Sequence, residues 1–219
     1  MILLEAIVFV TMYYYLCMDA DIHKSRIKEA VQPVNILAVM LISTGMCFFI
    51  NFQLPIVMNV LPDSIVKEYT NMLEQAGYGV EWIPTIICLF LAPIAEEFLF
   101  RGVIFYYLIK ICEIKLSKRK AFWIANIIQA MLFGWFHMNL IQGVYAFIIG
   151  LVLGFLAYQY KSVTSSIIAH VINNFLSAFV WKLVVEALPV SNGMYTVGAG
   201  LALCVVVLGI MLCIVNNEQ

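Results

Sequence analysis

The chain of 219 residues is 64% hydrophobic and only 11% charged, with a net charge of −1. A soluble domain carries about 25% charged residues, so this composition excludes an ordinary globular enzyme and indicates a polytopic membrane protein. The near-neutral balance argues against a nucleic-acid partner, and no polar stretch is long enough for a separate soluble domain.

Hydropathy predicts an all-α transmembrane bundle of about seven spans, over residues 2–18, 34–60, 83–110, 121–139, 141–160, 163–186 and 194–215. The whole chain, 1–219, is expected to form a single transmembrane domain with a catalytic core at about 83–180. The start, Met1-Ile2-Leu3-Leu4-Glu5, has no basic segment and no small-residue cleavage site follows it, so the first span is expected to be retained. Segment 19–33 is polar and contains His23, read as a solvated side chain. Segment 61–82 is acidic, with Asp63, Glu68, Glu74 and Glu81 against Lys67. Within it, Ile65, Val66, Tyr69, Met72 and Leu73 recur at helical spacing after Pro62-Asp63-Ser64. That pattern predicts a short amphipathic helix at the membrane interface, ended by Gly77 and Gly79.

The third span holds Pro93-Ile94-Ala95-Glu96-Glu97-Phe98-Leu99-Phe100-Arg101-Gly102. A charge at the centre of a membrane helix costs about 2.5–3.5 kcal/mol even on a lenient scale, so three charges within six residues need a reason. Residues four apart share a helix face, which pairs Glu97 with Arg101 and leaves Glu96 on a different azimuth. Pro93 suits the first turn of a helix, which would place both glutamates near its positive end. The structural alternative is a Glu97–Arg101 bridge with Glu96 merely facing water.

The loop after this span is the most basic, with Lys110, Lys115, Lys118, Arg119 and Lys120. Placing it in the cytoplasm also puts Lys24, Arg26, Lys28 and Lys161 inside, against Lys67 and Lys182 outside. The expected topology is an N-terminus outside and a C-terminus in the cytoplasm. Trp82, Trp123 and Trp181 fall near span ends, as interfacial anchors should. In the fifth span Gly150 and Gly154 have the spacing of close helix packing. Cys17, Cys47, Cys88, Cys112, Cys204 and Cys213 show no CxxC pair and read as small core hydrophobes. No internal repeat is visible, which counts against a transporter.

Two histidines lie within spans. In the fourth, Asn126, Gln129, Phe133 and His137 follow at three or four residues and form a stripe on one face. In the sixth, His170 is followed by Asn173 and Asn174, with Ser177 on the same face. The azimuths of Asn173 and Asn174 relative to His170, about 60° and 40°, do not choose between the two. Asp19, Asp21 and Asp63 all lie outside the spans, excluding a paired-aspartate intramembrane protease. Neither a Gly-x-Ser-Gly segment nor a His-Glu-x-x-His helix is present, and no Gly-rich phosphate loop. Glutamate, histidine and asparagine remain, and they suffice to activate water and hold an oxyanion.

Glu96-Glu97-x-x-x-Arg101, Phe133-x-x-x-His137 and His170-x-x-x-Asn174, in this order on three spans, resemble the CAAX-protease and bacteriocin-processing (CPBP, or Abi) family of intramembrane endopeptidases. Ala92-Pro93-Ile94-Ala95 and Phe100-Arg101-Gly102 are similar to that family too, and the resemblance covers about residues 83–180. It implies an integral protein of the bacterial cell membrane that cleaves a peptide or a membrane-anchored protein. Glu96 and His137 would hold the attacking water, and His170 and Asn174 would donate to the oxyanion. Glu97 with Arg101 would orient Glu96, and Phe133 would support His137. No cofactor is favoured. Zinc remains possible, held by Glu96, His137 and His170. The absence of a His-x-x-x-His pair and the fixed charge of Arg101 speak for a metal-free glutamate enzyme. With straight helices His137 and His170 lie at different depths, so convergence requires tilted, short or broken spans, for instance near Thr164-Ser165-Ser166. The competing reading is a non-catalytic scaffold or bacteriocin-immunity protein that binds a peptide or lipid in the polar pocket.

Overall fold

The computed structural model describes residues 2–17, 27–77, 80–187 and 192–217, and among them every regular element is helical. His23 and Gly79 lie outside the described residues. The elements are α1 (Ile2–Cys17), α2 (Pro33–Met58), α3 (Asp63–Ala76), α4 (Trp82–Glu113), α5 (Lys118–Phe136), α6 (Leu140–Gln159), α7 (Val163–Ala187) and α8 (Asn192–Asn217). Each of the seven expected spans is thus helical. Five of them, α2, α4, α6, α7 and α8, are long and apolar enough to cross a membrane. The basic first turn of α5 and its Asn126 and Gln129 lower its hydropathy, and α1 has only 16 described residues. Large side chains such as Leu201, Leu208 and Met211 are exposed while Glu97, Asn126 and Gln129 are buried, the inverted pattern of a protein solvated by lipid.

The acidic segment forms α3 as the periodicity predicts. Gly77, at φ 61°, ends it in the left-handed conformation that glycine adopts without penalty.

Two compact units emerge, Met1–Val31 with Phe90–Ile167, and Gln32–Leu89 with Ile168–Gln219. In the first unit, α1 lays Tyr13 against Gly102, where a Cβ would sit 2.6 Å from the Tyr13 ring. Phe98 meets the same ring edge-on at 5.1 Å, and Val103, Val163 and Ile167 close the cluster. α5 and α6 reverse tightly through residues 137–139. Met138 takes φ 54°, and the Asn139 side chain accepts from the Gln142 amide at 3.1 Å to start α6. The two helices then approach closely where Gly134 faces the Gly143 carbonyl.

In the second unit α2 and α8 pack along glycine notches. A Cβ on Gly45 would lie 2.7 Å from the Ala202 carbonyl oxygen, and one on Gly209 2.7 Å from Ile42. At one end Asn216 donates to Asn35 Oδ1 at 2.7 Å. Trp181 packs edge-on against Phe52 at 4.9 Å, so the expected interfacial anchor also belongs to an aromatic cluster.

One local expectation is overturned. Pro93 does not open a helix: α4 runs continuously from Trp82, so Glu96 and Glu97 sit in its middle, away from a positive end. The chain absorbs the proline by widening into a π turn at Ile87–Leu91, just before it, and a second π turn follows at Phe98–Ile104, beyond the segment Ala92–Glu97. A proline removes one backbone donor and crowds the carbonyl one turn earlier, and a π turn supplies the extra room.

Candidate active site

Glu97 and Arg101 form the buried pair that their spacing predicts. Arg101 Nη1 donates to Glu97 Oε1 at 2.7 Å, and both side chains are completely buried. The guanidinium does more than neutralise one carboxylate. Its Nη2 donates to the Gly150 carbonyl on α6 at 3.2 Å, and its carbon lies 4.3 Å from the centre of the Phe133 ring on α5. Arg101 therefore ties α4 to both neighbouring helices through a hydrogen bond and a cation–π contact. Glu96, the next residue back, is only half-buried, whereas Glu97 has no exposed surface. One carboxylate is fully buried in the ion pair and its neighbour is not.

His137 falls just beyond the end of α5 rather than within the helix, as its capping residue. Its Nδ1 lies 2.8 Å from the Phe133 carbonyl oxygen. A carbonyl can only accept, so Nδ1 carries the proton, and in the neutral ring Nε2 keeps a lone pair. Phe133 holds the imidazole a second time, edge-on at 4.8 Å, while itself contacting Phe100 at 5.1 Å. Thus Phe133 touches both Arg101 and His137, and the first unit contains Glu96, Glu97, Arg101, Phe133 and His137.

His170 and Asn174 lie in the second unit, on α7. This helix starts at Val163 after Lys161, at φ 49°, so the Thr164-Ser165-Ser166 stretch is a helix start and not a break. Ser165 Oγ donates back to the Leu156 and Ser162 carbonyls, at 3.1 and 2.9 Å. His170 is buried. Asn174 Nδ2 donates to the Cys88 carbonyl at 3.0 Å, just where Pro93 deprives α4 of a backbone donor. Asn173 is buried, with its Nδ2 3.5 Å from Asn174 Oδ1 and its own Oδ1 without a hydrogen-bond partner. Ser177 accepts a long contact of 3.5 Å from Asn51 of α2.

Within neither unit do three His, Cys, Asp or Glu side chains of the described residues gather closely enough to hold a metal ion. Among the described residues, Cys47, Cys88, Cys112, Cys204 and Cys213 form no disulfide.

Sequence reasoning missed two α6 carbonyls, of Gly150 and Leu151, that accept from Arg101, Gln129 and Asn126. Gly150 and Gly154 are not merely packing glycines, because they lie opposite Arg101, Asn126 and Gln129. The signal was a small-residue spacing on one span facing two amides on the preceding one.

Residues 79–176 match the family model described as type II CAAX prenyl endopeptidase Rce1-like. No curated protein and no solved structure matches the chain. The matched residues run from the start of α4 through Asn174 and so include every polar motif described above. Through residues 79–176 this chain is similar to the Rce1-like family, of the CPBP kind, a likeness that points to a CAAX-type protease acting on a peptide or protein within the membrane.

Proposed function

We propose that this protein is a glutamate-dependent intramembrane endopeptidase. The observation that carries the reading is the division of labour in the acidic pair: Glu97 is fully buried against Arg101, while Glu96 stays half-exposed. A buried ion pair is a poor source of net stability, so its use beside a second carboxylate is best explained by what it positions. Glu96 and His137 hold the attacking water, with His137 Nε2 as an acceptor and Glu96 as the general base. Water attacks the scissile carbonyl, Glu96 takes its proton, and the same group returns it to the leaving amine. His170 and Asn174 donate to the oxyanion, a role that lowers the barrier by about 3–4 kcal/mol per donor.

The mechanism is metal-free in this reading. A zinc ion would need Glu96, His137 and His170 together, and the fixed charge of Arg101 lies one turn from the pair. The chain forms one transmembrane domain of seven spans with α3 at the interface, its N-terminus outside and its C-terminus in the cytoplasm of a bacterial cell. Its substrate is a small peptide or a membrane-associated protein.

The test is hydrolysis by the full chain in proteoliposomes, combined with mass spectrometry of peptides that accumulate in a Glu96→Gln strain. Glu96→Gln and His137→Ala should each lose about 1,000-fold or more in kcat while melting near wild type. Retained cleavage in either variant removes the water-activating pair, and activity that vanishes on zinc stripping and returns with zinc removes the metal-free mechanism.

A further inference from the structure

Helix α5 carries two buried amides that this mechanism does not use, Asn126 and Gln129. Neither faces lipid, and both are engaged with α6. Gln129 Nε2 donates to the Gly150 carbonyl at 2.9 Å and to Asn126 Oδ1 at 2.8 Å. Asn126 Nδ2 donates to the Leu151 carbonyl at 3.0 Å. The polarity of this chain is fixed: rotating the Gln129 amide would set its oxygen against two other acceptors. The cost of that orientation is visible, since Gln129 Oε1 is buried with no hydrogen-bond partner among the described residues.

The Gly150 carbonyl is the meeting point. It accepts from Gln129 on α5 and, at 3.2 Å, from Arg101 on α4. The glycines make the approach possible. A Cβ on Gly150 would stand 3.2 Å from Arg101 Nη2, and one on Gly154 would fall onto Asn126 Oδ1 and 2.6 Å from Gln129 Nε2. Arg101 itself lies in the π turn Phe98–Ile104, which begins at the residue after Glu97. A π turn is less favourable than the α-helix around it and persists where its surroundings over-determine it.

We infer that Gln129, with Asn126 behind it, is a positioning residue for the reaction. By holding the Gly150 carbonyl against the Arg101 guanidinium, it locks the π turn and the Glu97 carboxylate, and thereby the direction of Glu96. The inference rests on the protease reading above and adds residues to it that none of the three family motifs contains. Gln129 touches no reacting atom. It acts through Arg101 and Glu97, so its removal should change the rate of the bound complex and not the binding of substrate.

The experiment uses the full chain in lipid nanodiscs and a fluorogenic prenylated CAAX peptide. Gln129→Leu keeps the bulk and removes both donors. Asn126→Ser is milder, leaving Gln129 its contact to Gly150. A misplacement on the order of 1 Å costs about 100-fold, so Gln129→Leu should lose about 30- to 100-fold in kcat, with KM within about twofold and melting close to wild type. Asn126→Ser should lose less, with the same split between kcat and KM. Melting of Gln129→Leu, Arg101→Lys and the double variant supplies a readout independent of activity. Gln129 holds the carbonyl in place for Arg101, so part of the Arg101 contact is already lost in Gln129→Leu, and the double variant should melt higher than additivity predicts.

A wild-type kcat per folded molecule in Gln129→Leu overturns the inference, and so does lowered melting with kcat untouched, which would mark a packing role. If Gln129→Leu does not fold, unchanged kcat in Asn126→Ser overturns it, and the partial kcat loss supports it. Non-additive melting among the variants, with a wild type that hydrolyses nothing, would leave the hydrogen-bond network standing. It would overturn the protease reading and with it any positioning role in catalysis.

Discussion

The α2–α8 pair and the α4–α5–α6 group use the same device to opposite ends. Both bring backbones together at glycines. In α2–α8 the space goes to apolar atoms and backbone: Gly45 faces Ala202 and Val206, and Gly209 faces Ile42. Between α5 and α6 the space goes to polar groups, with Gly154 giving room to Asn126 and Gln129, and Gly150 offering its carbonyl to Arg101. A small-residue stripe in a membrane helix is therefore silent about purpose by itself. What lies across from it decides whether the helices are merely packed or hold a charge in place.

The contrast can be broken by removing each device in turn. Arg101→Ala strands Glu97 in a site with no exposure and takes a donor from Gly150, so a loss of about 3–5 kcal/mol is expected, along with all activity. Thermal unfolding in nanodiscs would show it, and a variant as stable as Glu96→Gln would mean that the bridge contributes nothing. Gly45→Ala places a methyl group 2.7 Å from a backbone oxygen and should cost about 1–3 kcal/mol. Here kcat per folded molecule should stay at the wild-type value, because α2–α8 carries no reacting group; a fall in kcat without a fall in melting would erase the distinction between the regions. The smallest effect is expected from Asn216→Leu, which removes the 2.7 Å bond to Asn35. Interhelical hydrogen bonds in membrane proteins average about 0.6 kcal/mol, so a shift of a degree or two is the expected reading and a collapse of the fold would contradict it.

Much of this was legible in the sequence, for reasons that differ between elements. The helices were visible because lipid demands long apolar runs, and α3 because an amphipathic period survives in a polar segment. The Glu97–Arg101 pair followed from a spacing of four, and the stripe of Asn126, Gln129, Phe133 and His137 from helical periodicity. The middle of α4 was not legible. Pro93 reads as a helix start, and only tertiary packing shows that two π turns carry the helix through it. The Gly150 carbonyl was equally hidden, because a backbone acceptor has no letter in a sequence. The Asn174 bond to the Cys88 carbonyl, 86 positions away, belongs to the same class.

Tyr13 seated on Gly102 has a consequence for biosynthesis. The two residues are 89 positions apart, so α1 leaves the ribosome well before the surface it packs against exists. Until α4 has been made, the Tyr13 face of α1 lacks the Gly102 surface on which it finally packs. Insertion of α4 thus completes two events at once: it brings the acidic pair into the membrane and gives the first helix its docking partner.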